Sequence, residues 1–261
     1  MGLDILSVLL NQTGFFLLVF ARITGIFTAA PFFGSRNIPT FAKAALSLLL
    51  SYIVFPAVFS AQTVIPAAMA AYIVLVAGEY LLGLIFGFVA SLIMQAVQMA
   101  GHILDMQIGF GMVNVFDPQF GQQIPLLGNF KYILALMVFL ATNGHHVLLG
   151  ALVASFRLVP VTGVVIPASI AGFMVDLVSG AFAIGFKISL PVLVSLVLAD
   201  VAFGILARTM PQMNIFVVGI PAKLVIGIFA LMMAMPIYVA MLEVGFGGMY
   251  RDVYRFLSIV H

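Results

Sequence analysis

Residues 64–100 have the sequence VIPAAMAAYIVLVAGEYLLGLIFGFVASLIMQAVQMA, in which Glu79 is the only charged residue. An α-helix needs about 20 apolar residues to cross the ~30 Å hydrocarbon core of a bilayer. The stretch is too long for one perpendicular span, and it predicts either one long tilted helix or two helices divided near Gly78 and Glu79. We favour one long helix, because glycines such as Gly83 and Gly87 are tolerated in packed membrane helices and no polar turn interrupts the run.

Further apolar stretches lie at about 5–30, 41–59, 126–153, 172–206 and 214–243. Of the 261 residues, 64% are hydrophobic and only 7% are charged. Soluble domains carry about 25% charged residues, so this chain cannot cover a water-facing surface. No polar stretch is long enough to form a separate soluble domain. The sequence therefore predicts an all-α, polytopic integral membrane protein that forms a single membrane unit over residues 1–261.

The polar residues exclude several functions. The formal net charge is +2 and no run of Lys or Arg forms a basic arm, which argues against nucleic-acid binding. The chain has no Cys, so disulfides and thiol nucleophiles are excluded. His102 and Asp105 are too few for a metal site, and the adjacent His145 and His146 would chelate poorly on a helix. Neither a Gly-x-Ser-x-Gly elbow nor a phosphate-binding loop occurs. We predict no catalytic residue, no metal and no cofactor.

The basic residues that flank the apolar stretches predict the topology. Arg36 and Lys43 follow the first stretch, which places the N-terminus outside. Arg208 and Lys223 place the connector over about 206–223 in the cytoplasm. The tail after residue 243 is also basic, and both ends of the last stretch cannot satisfy the rule. Either the tail is an exception or this stretch is not an ordinary lipid-facing span.

Some polar and small residues lie within the apolar stretches. Arg22 and Glu79 are costly at membrane depth unless they are paired or face water. We favour a structural role for Arg22, which snorkels or pairs with a carboxylate in a protein–protein seam. Gly83 and Gly87 form a small-xxx-small pair that lets another backbone approach closely. Packing within the chain and packing against another subunit are equally compatible with that pair.

The connector over 101–125 combines glycines and polar residues with large apolar side chains. Loops of this length are functional or disordered in most proteins, and the aromatic residues argue against disorder. Flexible apolar groups on a glycine-rich segment can form a deformable seal. The groups that we single out are Met106, Phe110, Met112 and Phe116.

Four blocks of sequence resemble a known family. They are RITG at 22–25 with PFFG at 31–34 and Ile38–Pro39; Gly78–Glu79 with Gly83 and Gly87; AGHILDMQIGFG at 100–111; and RTMPQMNIF at 208–216 with Gly219, Pro221 and Lys223. In this order and at these positions they are similar to the FliR family of flagellar export-gate proteins, whose relatives serve virulence type III secretion systems. The block at 208–223 is the most specific of the four.

The resemblance implies an assembly of long, hairpin-forming helices around a pore. Family members combine with FliP-like and FliQ-like membrane subunits, and a FlhB-like protein docks on the assembly. Unfolded export substrates pass through the centre. The expected location is the bacterial inner membrane, within the flagellar basal body, in contact with lipid as well as with these partners.

The resemblance also implies roles for particular segments. Residues 1–170, approximately, correspond to a FliP-like portion and residues 171–261 to a FliQ-like helix hairpin. The loop over 107–122 resembles a plug that closes the pore, and the turn near 208–223 resembles the cytoplasmic tip that contacts partners. The implied plug residues are Met106, Gly109, Phe110, Gly111, Met112 and Phe116; the implied partner contacts are Pro211, Gln212, Met213 and Asn214, with Gly83 and Gly87 as further candidates.

Two other functions compete with a pore subunit. A stand-alone small-solute transporter or channel predicts interrupted helices around polar groups at the membrane midplane, whereas the polar residues here cluster in connectors. An intramembrane enzyme lacks a catalytic set. The sequence therefore favours a non-enzymatic pore subunit of a protein export gate.

Overall fold

The structure is a computed structural model that describes residues 2–35, 37–59, 65–66, 68–109, 125–164, 167–212 and 214–260, with side chains from residue 11 onward except at 215 and 216. The described residues form seven α-helices. They are α1 (Gly2–Ala29), α2 (Thr40–Val58), α3 (Met69–Ile108), α4 (Leu126–Ala141), α5 (Gly144–Leu158), α6 (Ser169–Thr209) and α7 (Ile215–Val260). The prediction of an all-α protein is confirmed.

Five helices are long and apolar enough to cross a membrane, namely α1, α2, α3, α6 and α7. The pair α4 and α5 is bent by 68° at a short break and forms a sixth candidate span. The break coincides with Asn143, whose φ of 56° places it in the left-handed region that ends a helix. The apolar run at 126–153 is therefore a bent pair of helices.

Three helices are much longer than one membrane crossing. The helix α3 has 40 residues, α6 has 41 and α7 has 46. At 1.5 Å per residue they extend about 60–70 Å, roughly twice the thickness of the hydrocarbon core. The preference for one long helix over 64–100 is confirmed, because α3 passes Gly78 and Glu79 without a break.

The predicted ends of the connectors were wrong in three places. The helix α3 continues through Gly101 to Ile108, the connector expected between the apolar stretches at 126–153 and 172–206 shrinks to 159–168, and the connector at about 206–223 shrinks to 210–214. Pro221 and Lys223 lie inside α7, which also includes the basic tail. Polar residues lowered the hydropathy at these points but did not end the helices, because a helix satisfies its backbone hydrogen bonds internally.

The chain divides into two compact units, each described separately. The first comprises Met1–Leu92, Asn143–Leu177 and Gly248–His261, and the second comprises Ile93–Thr142 and Val178–Gly247. The helices α3, α6 and α7 contribute to both. Each unit is built from separate segments of the chain, so the units do not correspond to portions before and after residue 170. The division into FliP-like and FliQ-like portions near residue 170 stays a prediction.

Candidate functional site

A buried ion pair holds several elements of the first unit together. Arg22 on α1 donates from Nε to Oε2 of Glu79 on α3 at 2.5 Å, and both side chains are excluded from solvent. Arg22 Nη1 also donates to the carbonyl oxygens of Ser155 at 3.1 Å and Val159 at 2.8 Å. The guanidinium lies 4.5 Å from the centre of the Phe156 ring. Arg22 therefore joins α1 and α3 to the end of α5.

Glu79 extends the same network into the connector after α5. Its Oε1 accepts a hydrogen bond from the backbone N–H of Thr162 at 3.0 Å. Thr162 has a φ of 76°, a conformation that is strained for a β-branched residue. A strained residue persists where its surroundings fix it. The bond to Glu79 is one such contact, so the ion pair also shapes the connector that leads to α6.

Glycines allow the two helices to approach closely enough for this pair to form. A Cβ atom on Gly83 would overlap the carbonyl oxygen of Arg22, and one on Gly87 would lie 2.6 Å from the carbonyl oxygen of Ile26. From the opposite helix, a Cβ on Gly25 would overlap the carbonyl oxygen of Tyr80. For Gly83 and Gly87, the close packing that the structure shows is packing within the chain.

In the second unit, a carboxylate closes the base of the 109–125 connector. Asp105 on α3 accepts hydrogen bonds from the backbone N–H groups of Leu127 at 2.9 Å and Gly128 at 3.0 Å. These amides belong to the first turn of α4. Pro125 precedes this helix and makes no capping hydrogen bond with its side chain. A buried carboxylate satisfies such orphan donors and complements the positive end of the helix dipole. Asp105 thereby ties the two ends of the connector together.

Close backbone packing strengthens this connection. A Cβ on Gly101 would overlap backbone atoms of Gly128, so α3 and α4 touch one helical turn before Asp105. After the cap, Gly109 has a φ of 102°, which only glycine adopts readily and which ends α3. The connector therefore leaves α3 at a defined residue and enters α4 at a capped turn.

A polar cluster links the same end of α3 to α6 and α7. Gln107 Nε2 donates to Oδ2 of Asp200 at 2.8 Å. Lys223 Nζ donates to the same oxygen at 3.0 Å and lies 2.8 Å from Oδ1. The Asp200 side chain is 43% exposed. Exposed pairs contribute at most about 1 kcal/mol, so this cluster fixes orientation more than it stabilises the fold.

An apolar core lies beneath these polar contacts. It contains Leu104, Ile108, Leu127, Val192, Leu196 and Leu231, which come from α3, α4, α6 and α7. A Cβ on Gly227 would lie 2.7 Å from Ile108 Cδ1, so α7 approaches the last turn of α3 at a glycine. We call Gly101–Gln107 and Pro125–Gly128 the base of the connector. This base belongs to a core to which four helices contribute.

The predicted plug residues are only partly described. Met106 lies in the last turn of α3 and is 78% exposed, next to the buried Asp105. Gly109 follows the helix with its positive φ. Phe110, Gly111, Met112 and Phe116 lie outside the described residues.

The predicted partner contacts lie at the short connection between α6 and α7. Pro211, Gln212 and Asn214 are exposed there, and Met213 lies outside the described residues. The carbonyl oxygen of Asn214 accepts from the N–H groups of Val217 and Val218 and so begins α7. Lys223 Nζ on α7 lies 2.8 Å from Asp200 Oδ1 on α6, so the two helices pack against each other in the second unit.

One buried charge was missed. Lys131 on α4 is 2% exposed, and its Nζ lies 4.7 Å from the centre of the Tyr238 ring. Tyr238 donates its hydroxyl to the carbonyl oxygen of Lys131 at 2.7 Å. Lys131 is a basic residue inside an apolar stretch, as Arg22 is, so the sequence pattern that singled out Arg22 also predicts Lys131 as a buried charge.

These features define the class of the protein: a polytopic helical membrane protein with helices longer than a bilayer requires and a glycine-initiated connector on a fixed base. The model of the family described as "Bacterial export proteins, family 1" matches residues 13–249. The flagellar biosynthetic protein FliR of Bacillus subtilis (strain 168) is 38% identical over 226 residues, which cover 85% of this chain and 86% of that protein. FliR of Escherichia coli (strain K12) is 28% identical over 239 residues, or 91% and 88% of the two chains.

The chain belongs to the FliR family of bacterial flagellar export proteins. The predicted family is therefore confirmed, and with it the prediction of a non-enzymatic transport component in the bacterial inner membrane, at the flagellar basal body.

Proposed function

We propose that this chain is the pore-forming subunit of the flagellar type III protein export gate, through which unfolded flagellar proteins cross the inner membrane. In this proposal the 107–122 loop is a plug that closes the channel at rest and is displaced by a substrate. The observation that carries the proposal is the fixed base of the connector, because a movable seal needs immobile ends.

The geometry of the base suits such a plug. Asp105 holds both ends of the connector in one place, and the core of Leu104, Ile108 and Leu127 supports them. A plug attached at these two ends would return to the same position after a substrate has passed. Met106 beside the base and the Phe and Met residues of the loop would supply the apolar sealing surface.

The long helices support an assembly of several subunits. A single bilayer cannot cover helices of about 60–70 Å, yet α6 and α7 carry exposed apolar residues along their lengths. Partner subunits would cover what lipid does not. We propose FliP-like and FliQ-like subunits as these partners, and a FlhB-like protein at Pro211, Gln212, Met213 and Asn214. The portions before and after residue 170 would resemble the FliP-like and FliQ-like subunits respectively.

The mass and composition of the complex extracted in mild detergent test the proposal. We expect the chain to copurify with the FliP-like and FliQ-like subunits in fixed proportion. A double variant, Pro211→Ala with Gln212→Ala, should lower recovery of the FlhB-like protein and leave the other subunits in place. Thr209→Ala is a matched control, because its hydroxyl donates to carbonyl oxygens of its own helix. A stable, monodisperse chain without partners would contradict the proposal and favour the stand-alone transporter.

A further inference from the structure

In the second unit, α6 carries a row of exposed residues with alternating spacings of three and four. We call this row the α6 seam; it consists of Ala183, Lys187, Leu190, Val194, Val197 and Val201. The opposite side of α6 contains Ile188, Val192, Leu196 and Ala199, which are buried in the unit itself. The seam therefore points away from the core that the unit provides.

The spacing of the seam is the one that a partner helix requires. Apolar residues that repeat every 3.5 positions form the contact between two helices that wrap around each other. Gly180 and Gly204 continue the same spacing at the two ends, and a Cβ on either would meet nothing within 4 Å. Packing within the chain does not require these two glycines, whereas close approach of a second helix would use them.

Lys187 distinguishes a protein partner from lipid. It is exposed near the middle of α6, and it forms no ion pair with any residue in the part of the chain that the structure describes. Lys187 is the one charged residue between Asp176 and Asp200, so it interrupts the apolar stretch of α6 that could cross a membrane. A charge at membrane depth is tolerated where it is paired or faces water. The surface that covers Lys187 should therefore carry a negative charge.

We propose that the α6 seam docks one apolar helix of another export-gate subunit, and that this helix places an Asp or Glu side chain opposite Lys187. The inference rests on the proposed function, since it requires partner subunits. The valines and Leu190 supply the apolar contact. A single Lys at a core position of a helix pair fixes the register of the partner, because sliding the partner leaves the charge unpaired.

Photo-crosslinking within the assembled complex tests the contact. A benzophenone amino acid at Leu190 or Val197 should crosslink to the same partner subunit. Phe182 is the matched control, because it is 60% exposed on α6 but lies off the seam. Crosslinks from both seam positions to phospholipid, to an export substrate or to a second copy of this chain would overturn the proposal.

Charge reversal tests the predicted carboxylate. Lys187→Glu should lower recovery of the crosslinked subunit about tenfold, because an unpaired charge in a buried interface is strongly destabilising. Lys187→Arg should preserve recovery, and reversal of the acidic residue in the crosslinked helix should rescue Lys187→Glu. Full recovery with Lys187→Glu refutes the ion pair. The proposed function still holds in that case if the wild-type complex contains its partner subunits. If the wild-type chain purifies without partners, both the ion pair and the proposed function are contradicted.

Discussion

The ion pair of Arg22 and Glu79 makes a strong prediction about stability. Glu79→Gln leaves a guanidinium with no counter-charge in a site that excludes solvent, and Arg22→Met does the same to the carboxylate. Breaking a buried pair from either side costs about 3–5 kcal/mol. The double variant contains no charge, and the amide that replaces the carboxylate can still accept from the Thr162 N–H. It also loses the bond from Arg22 Nε to Glu79 Oε2, which is nearly neutral because both partners are replaced, and the two hydrogen bonds to the carbonyl oxygens of Ser155 and Val159, worth about 1 kcal/mol each.

The double variant should therefore be more stable than either single variant. For a protein of this size each kcal/mol shifts the melting temperature by about 2–4 °C, so the single variants should lose roughly 6–20 °C and the double variant about 4–8 °C. Thermal unfolding of the complex in detergent, followed by size-exclusion chromatography, measures these shifts. Ser258→Ala is the control, since its exposed hydroxyl donates to the carbonyl oxygen of Arg255 in its own helix. An unchanged melting temperature for Glu79→Gln, or a double variant that melts below both single variants, would show that the ion pair does not stabilise the fold in this way.

Three further predictions concern the same architecture, and four variants test them. Asp105→Ala should destabilise the base by about 1–3 kcal/mol, because two amides of α4 lose their acceptor, and limited proteolysis in the 109–125 connector should accelerate. Gly83→Val should abolish recovery of folded protein, because its side chain would overlap the backbone of α1, whereas Gly78→Val, which meets open space, should be nearly neutral. Asp200→Asn should change the melting temperature little, because an exposed pair is worth at most about 1 kcal/mol.

Hydropathy located the helices but not their ends. The run over 64–100 predicted α3 as one helix, because its length and apolarity depend only on local sequence. The helix end at Ile108 was missed, since Gly101, Asp105 and Gln107 look like loop residues in a hydropathy pattern. They remain helical because the backbone bonds of a helix do not depend on side-chain polarity. The residue that ends α3 is Gly109, through its positive φ.

The roles of the polar residues depended on contacts between distant segments. Asp105 caps amides at 127 and 128, across the whole connector, so its role was not contained in any local pattern. Arg22 could be predicted to need a carboxylate, but the approach of α1 to α3 at Gly83 selects Glu79. Tertiary packing thus decides which buried charges meet.

In the proposed function, the connector between α3 and α4 seals a pore. Deletion of residues 110–116 leaves Asp105, Gly109 and the cap on α4 in place, so the base should stay intact. The measurement is the conductance of small ions through the purified complex in a planar bilayer, compared with the wild type at equal subunit composition. We expect a large rise in conductance for the deletion. Unchanged conductance in a fully assembled complex would contradict it.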